Sequence, residues 1–230
     1  VQVDFRSREV TLKLVYYGPS QSGKSSNLRA LQDRVAASHR PRLITLDAND
    51  DRTLFLDLLP LSIELGEVTL RINLYTVPGK AELSATRRLV LRGVDGVVFV
   101  ADSRNSATRS NAESFVDLKQ NLRDIGRALK DLPLVIQFNK RDAFDVRSDE
   151  ELCALAQRGS EPVFRAVAPR GEGVCETFTA LLEVVFARLD GSGELSRTLR
   201  LTPSQLLELV SKTLALPSAT AGARIGDART

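Results

Sequence analysis

The octapeptide Gly18-Pro19-Ser20-Gln21-Ser22-Gly23-Lys24-Ser25 constrains this chain more than any other feature. It fits G-x-x-x-x-G-K-[ST] at every fixed position and follows an apolar run, Val10 to Tyr17, that reads as a buried strand. Ser25 to Ala37 then reads as a helix, with Leu28, Leu31 and Val35 at helical spacing. A glycine-bearing turn between a strand and a helix lets backbone N–H groups converge on phosphate oxygens, and the helix end adds partial positive charge. Lys24 is placed to neutralise β/γ oxygens, and the Ser25 hydroxyl can ligate Mg²⁺. The chain must therefore build a strand–loop–helix unit, and a nucleotide is its implied ligand.

The remaining pattern extends that unit. Leu58 to Leu65 and Val68 to Tyr75 read as strands joined by a turn at Gly66-Glu67. After Pro78-Gly79 comes a short basic helix, then Gly96 to Ala101 as a continuous apolar strand. Ser110 to Lys130 reads as one long helix, with Phe115, Leu118, Leu122, Ile125 and Leu129 on one face. Leu134 to Phe138 and Val163 to Val167 are further buried strands, and Val174 to Leu189 a last amphipathic helix. Alternating β and α units predict an α/β fold of the P-loop NTPase kind, a mostly parallel central sheet with helices on both faces. Ligands of such sheets bind beyond the carboxyl ends of the strands.

This domain is expected over 1–190. A linker and amphipathic helix follow over 191–216, a C-terminal helical extension with Thr202 as N-cap, Pro203 at the first position and a stripe of Leu206, Leu207, Leu209, Val210 and Leu214. The helix is expected either to pack back on the domain or to dock a partner. The Ser, Ala, Gly, Thr and Arg composition of 217–230 predicts a disordered tail.

Asn139-Lys140-Arg141-Asp142, directly after the buried strand ending at Phe138, addresses the choice of base. A carboxylate at Asp142 can accept from the guanine N1–H and exocyclic amine together, a pairing adenine cannot make. Asn139 can bridge the base edge and the phosphate loop, while the Lys140 stem lies over the ring.

Composition narrows the alternatives. Basic and acidic residues number 32 and 29, a net charge of +3 that gives no reason to expect nucleic acid or an anionic membrane. His39 is the lone histidine, and Cys153 and Cys175 have no CxxC spacing, which excludes a zinc site of about four such ligands. No apolar run approaches ~18 residues. Val1 opens no basic-then-apolar leader, and Asp227-Ala228-Arg229-Thr230 carries no prenylation cysteine, so the expected compartment is the cytoplasm.

Taken together these motifs resemble the Ras-like small GTPases, and more narrowly the bacterial polarity and gliding-motility GTPases of the MglA type. The narrower likeness rests on Asp51-Arg52-Thr53-Leu54-Phe55, Leu59-Pro60-Leu61, Leu74 to Gly79, Gly93 to Asp102, Ser26-Asn27 and Ile136 to Asp142. It covers about Val10 to Leu189. The resemblance implies GTP/GDP with Mg²⁺ as ligands, held by Gly18, Ser20, Gln21, Ser22, Gly23, Lys24, Ser25, Ser26, Gly79, Asn139, Lys140, Asp142 and Ala168. By position, Thr53 is similar to the switch I threonine that joins Ser25 at the metal. Arg52 is similar to an arginine supplied in cis to the transferring phosphoryl group. Ala168 would offer its backbone N–H to the base carbonyl. The resemblance further implies regulator and effector proteins at the switch regions, a roadblock-type activator among them, and a site of action at a cell pole or at a membrane reached through partners.

The sequence departs from that pattern where hydrolysis is concerned. Lys80 follows Gly79 where most Ras-like proteins carry a water-orienting glutamine, and a protonated lysine cannot accept a hydrogen bond from water. Ser20 and Gln21 occupy positions that are often small or glycine, although Gln21 could orient water itself. Thr76 stands where many relatives have an aspartate near the Mg²⁺ shell, with Asp47, Asp50, Asp51 or Asp57 as possible replacements. Two readings stay open: a hydrolysing GTPase switch with low intrinsic turnover, using Arg52, Thr53, Lys80 and Gln21, and a GTP/GDP-binding scaffold with little or no hydrolysis.

Overall fold

The computed structural model describes residues 2–4, 9–35, 41–46, 56–79, 83–192, 201–216 and 224–225. Its strands are β1 (Gln2–Asp4), β2 (Glu9–Tyr17), β3 (Ile44–Leu46), β4 (Leu56–Leu65), β5 (Val68–Thr76), β6 (Gly96–Asp102), β7 (Leu134–Asn139), β8 (Val163–Arg165) and β9 (Arg224–Ile225). They form one sheet in the order β3-β4-β5-β2-β6-β7-β8-β9, with β1 also on β2. Strands β5, β2, β6, β7 and β8 run parallel, while β3–β4, β4–β5, β8–β9 and β1–β2 pair antiparallel. The mostly parallel α/β sheet expected from sequence is therefore present at the centre of the molecule.

The helices are α1 (Lys24–Arg34), α2 (Ser84–Leu91), α3 (Thr108–Asp124), α4 (Asp149–Arg158), α5 (Val174–Leu189) and α6 (Pro203–Thr213). Both faces of the sheet are covered, and β2 shows why. Its residues Val10, Leu12, Leu14 and Tyr16 enter one core with Leu28 and Leu31 of α1 and Phe178, Leu182 and Phe186 of α5. Val15 and Tyr17 point the other way, into a core with Val90 and Leu91 of α2 and Leu118 and Leu122 of α3. Its first half alternates, with Glu9, Thr11 and Lys13 only partly buried, whereas Leu14 to Tyr17 are buried on both faces and are accordingly a continuous apolar run. Phe178 and Phe186 are 0% exposed, and truncating either to alanine is worth about 3–5 kcal/mol.

Several boundaries differ from the sequence reading. The long helix ends at Asp124 because Gly126 takes a left-handed φ of 76°, with its N–H donating to Arg123 O at 2.9 Å and that of Arg127 to Leu122 O at 2.9 Å. Ile125 and Leu129 had continued the helical period across a glycine stop. Helix α4 was not read at all, although Ser148 and Glu151 form a reciprocal capping box at its start. Strand β3 has no counterpart in the sequence reading, and Val163 to Val167 narrows to the three residues of β8.

Helix α6 packs back on the domain. Leu206, Val210 and Leu214, spaced one turn apart, are 0–1% exposed and join the core shared by α5 and β4. Within 217–230, Arg224–Ile225 pair with β8, and Ile225 is buried against Val163.

Candidate functional site: the carboxyl ends of strands 2, 6 and 7

Tyr17, Asp102 and Asn139 end three neighbouring parallel strands, and the phosphate loop leaves the sheet from the first of them. The loop is closed by its own backbone: Ser22 N–H donates to Pro19 O at 3.3 Å. Lys24 folds back beneath it, its Nζ donating to Gly18 O at 3.0 Å and Pro19 O at 2.7 Å. Only 7% of Lys24 is exposed. Burial lowers its ammonium to about 8, and the positive charge of Arg87 adds to the effect. A cation held at such a cost gains much from a phosphate brought beside it.

The N-terminus of α1 fits the same ligand. Gly23 is its N-cap at φ 100°, no side chain caps it, and its first turn holds no acid, so the first N–H groups are left for an anion. Ser25 and Ser26 are half-buried in that turn, and Ser20 and Gln21 are exposed on the loop's rim, Gln21 at φ 59°. The buried Ser22 hydroxyl has no protein partner among the described residues. Gly79 lies directly on the loop: a Cβ there would stand 2.3 Å from Ser20 Cα.

Asn139 joins this loop to the chain beyond β8. Its Nδ2 donates to Ser22 O at 2.8 Å, and its Oδ1 accepts from Ala168 N–H at 2.9 Å. A Cβ on Gly23 would stand 2.1 Å from that Nδ2, so Asn139 also accounts for the glycine at this point. The Ala168 N–H expected for a base carbonyl is thus given to Asn139. Lys140, at φ 66°, reaches Asp102 Oδ2 at 2.7 Å, and Asp102 also receives Arg104 at 2.6 Å. Burial would raise Asp102, yet hydrogen bonds from Arg104 and Lys140 hold its carboxyl at about 2. Asp142 is exposed, with Arg170 at 3.7 Å as its ion-pair partner.

The structure therefore brings Gly18 to Ser26, Gly79, Asn139, Lys140 and Ala168 into one locus, with Asp142 a turn beyond. Arg52, Thr53 and Lys80 lie outside the described residues, as do Asp47, Asp50 and Asp51. Asp57 is described: it is buried, accepts from Thr45 Oγ1 at 2.8 Å, and donates its N–H to Thr76 Oγ1 at 2.9 Å. Among the described residues no group of three or more His, Cys, Asp or Glu could hold a metal ion. A Mg²⁺ bound at the phosphate loop would find the Ser25 hydroxyl in the first turn of α1, the hard oxygen chemistry that this ion prefers.

Two groups near the site were not read from sequence. Asp102 closes an apolar strand at its carboxyl end, a position that does mark ligand sites in such sheets. Arg87 has no local signal. Its guanidinium, 5% exposed, donates to Pro78 O at 3.3 Å and Asp117 Oδ1 at 3.2 Å, with Nε 3.0 Å from Asp117 Oδ2. Asp117 in turn accepts from the hydroxyl of Tyr17 and from Asn121. The base of α2 is thereby tied to α3 and to the residue preceding the phosphate loop.

The chain is similar to the mutual gliding-motility protein MglA of Myxococcus xanthus (strain DK1622): 43% of residues are identical over 192, covering 83% of this chain and 98% of that protein. No family model matches the chain. Among the described residues no helix is long and apolar enough to cross a membrane.

Proposed function

This chain belongs to the MglA-type small GTPases, and from that premise we propose that it is a Mg²⁺-dependent guanine-nucleotide switch of the polarity and motility kind, with low intrinsic hydrolysis of GTP to GDP and phosphate. The single observation that supports the reading best is Asn139, whose side chain spans from Ser22 O at 2.8 Å to Ala168 N–H at 2.9 Å. A base-side residue fixed to the phosphate loop makes base and phosphate one binding event. In this reading Gly18 to Ser26 hold the phosphates, Lys24 neutralises them, Asp142 selects guanine, and Lys140 flanks the ring. Mg²⁺, held by Ser25 and Thr53, supplies charge neutralisation on the phosphoryl oxygens. Arg52 adds cis charge to the transferring group.

Slow turnover follows from Lys80. An ammonium next to Gly79 favours bound phosphate without accepting a hydrogen bond from water, and ground-state binding alone does not speed chemistry. The same residue favours the second reading, a guanine-nucleotide scaffold that displays an ordered surface. In either case the protein acts in the cytoplasm through regulators and effectors that meet the switch segments, with a roadblock-type activator as the proposed regulator and a cell pole as the proposed site.

The test is displacement of a fluorescent GDP analogue from the purified chain. Competition by GDP far exceeding that by ADP is the expected result; equal competition by ADP contradicts the reading.

A further inference from the structure

Three buried polar side chains lie behind the site and touch no expected ligand. Asn27 on α1, Gln137 on β7 and Thr177 on α5 are each 0% exposed. The two amides pair reciprocally: Asn27 Nδ2 donates to Gln137 Oε1 at 2.9 Å, and Gln137 Nε2 donates to Asn27 Oδ1 at 2.9 Å. Gln137 Nε2 also donates to Thr177 Oγ1 at 3.0 Å. The outer ends are equivalent. Asn27 Nδ2 donates to Gly23 O at 3.0 Å, and Thr177 Oγ1 to Gly173 O at 2.5 Å.

Those carbonyls belong to the N-caps of α1 and α5, both glycines in left-handed conformation, φ 100° and 70°. Gly23 closes the phosphate loop. Gly173 follows the Ala168 loop and packs on the end of β8 from which that loop leaves, since a Cβ there would stand 1.9 Å from Arg165 O. Gln137 sits two residues before Asn139 on the same strand. The chain of hydrogen bonds therefore runs from one helix N-terminus to the other, through the strand that carries Asn139.

We infer that Asn27, Gln137 and Thr177 are positioning residues that fix the phosphate loop, Asn139 and the Ala168 loop in register, and that this register sets nucleotide residence. The inference rests on the guanine-nucleotide reading above. Apolar residues would fill the same volume, and a buried polar network is often no more stabilising than an apolar replacement. What the amides add is direction. An amide pair has one satisfied arrangement, whereas packed methyl groups tolerate sliding of a helix along a strand. Asn139 clamps the two loops from the ligand side, and the relay clamps the same two loops from behind.

The experiment compares the full chain with Gln137→Leu, with the double apolar variant Asn27→Leu/Gln137→Met, and with the swap Asn27→Gln/Gln137→Asn. It reads thermal midpoint, the dissociation rate of a fluorescent GDP analogue, and the preference for GDP over IDP, which lacks the exocyclic amine. Gln137→Leu, which leaves the buried Asn27 Oδ1 without its donor, is expected to melt lower and release GDP at least tenfold faster. The double apolar variant should recover most of the midpoint, yet keep fast release and a reduced GDP-over-IDP preference. The swap should move release back toward wild type. Wild-type release and preference in the double apolar variant would overturn the inference, as would release rates that follow the midpoint alone across the set. A wild-type chain with no preference for GDP over ADP would instead overturn the nucleotide reading itself, and the relay's role with it.

Discussion

Asn139 and Ser22 stand 117 positions apart in the chain and meet at 2.8 Å, side-chain amide to backbone carbonyl. The contact is buried, and the opposite end of the same side chain accepts the Ala168 N–H. One residue thereby fixes the distance between the phosphate loop and the loop after β8. Asn139→Ala removes both bonds and leaves a buried N–H and a buried carbonyl unpaired, each worth about 1–3 kcal/mol. GDP affinity is expected to fall by about a hundredfold, measured by titration of a fluorescent analogue, with a lowered thermal midpoint. Unchanged affinity would show that the clamp has no part in binding.

Gly23→Ala tests the same contact from the other side. The new methyl carbon would lie 2.1 Å from Asn139 Nδ2, on a backbone at φ 100°. Strain of this kind is worth about 1–3 kcal/mol. The expected outcome is a comparable loss in denaturant-measured stability together with loss of nucleotide retention through purification.

Lys24 gives a signed pH dependence. In the folded chain its ammonium is lowered from 10.5 to about 8, by burial first and by Arg87 second. Between those values the unfolded chain holds a proton that the folded one has released. Stability of the nucleotide-free protein should therefore rise with pH across that window, the cost of the buried charge being fully present below about 8. Phosphate beside Lys24 restores the proton, so GDP binding takes up a proton above about pH 8 and weakens by up to about tenfold per pH unit there. Calorimetry at pH 8.5 in buffers of different ionisation enthalpy measures the uptake, and Lys24→Met should abolish it.

Much of this site was legible because its motifs are local. Gly18 to Ser25 and Asn139 to Asp142 each state their chemistry within a few residues, and α5 begins and ends where its period does. What stayed hidden depends on partners distant in sequence. Gln137 read as one more residue of a buried strand, and only the fold brings it to Asn27 and Thr177. Arg87 read as part of a basic helix, yet burial against Asp117 and Pro78 makes it a tether. Helix α4 was missed with its capping box in plain view, because Ala154, Ala156 and Gln157 blur its apolar stripe.

That tether yields a further prediction. Asp117→Ala leaves the Arg87 guanidinium buried without its carboxylate, and removing one partner of a buried pair is worth about 3–5 kcal/mol, less here because Asp117 keeps 32% of its side chain exposed. Stability should fall, and protease cleavage near Pro78–Ser84 should quicken relative to wild type. An unchanged cleavage pattern would detach Arg87 from the holding of this segment.

Turnover separates the switch from the scaffold. Single-turnover phosphate release by wild type is expected to be slow, and Lys80→Gln is expected to raise it by about tenfold or more, since glutamine can accept from the attacking water. Equal rates in the two proteins would remove Lys80 from the explanation.

The most direct test of the guanine site is nucleotide choice in Asp142→Asn. A carboxylate accepts from the N1–H and the 2-amino group; an amide can donate to a 2-carbonyl, as in xanthine. Competition against a fluorescent GDP analogue in the wild type, and against the corresponding XDP analogue in the variant, reads the exchange. The account predicts tight GDP and weak XDP for wild type, reversed in Asp142→Asn; a variant that keeps its preference for GDP would contradict it.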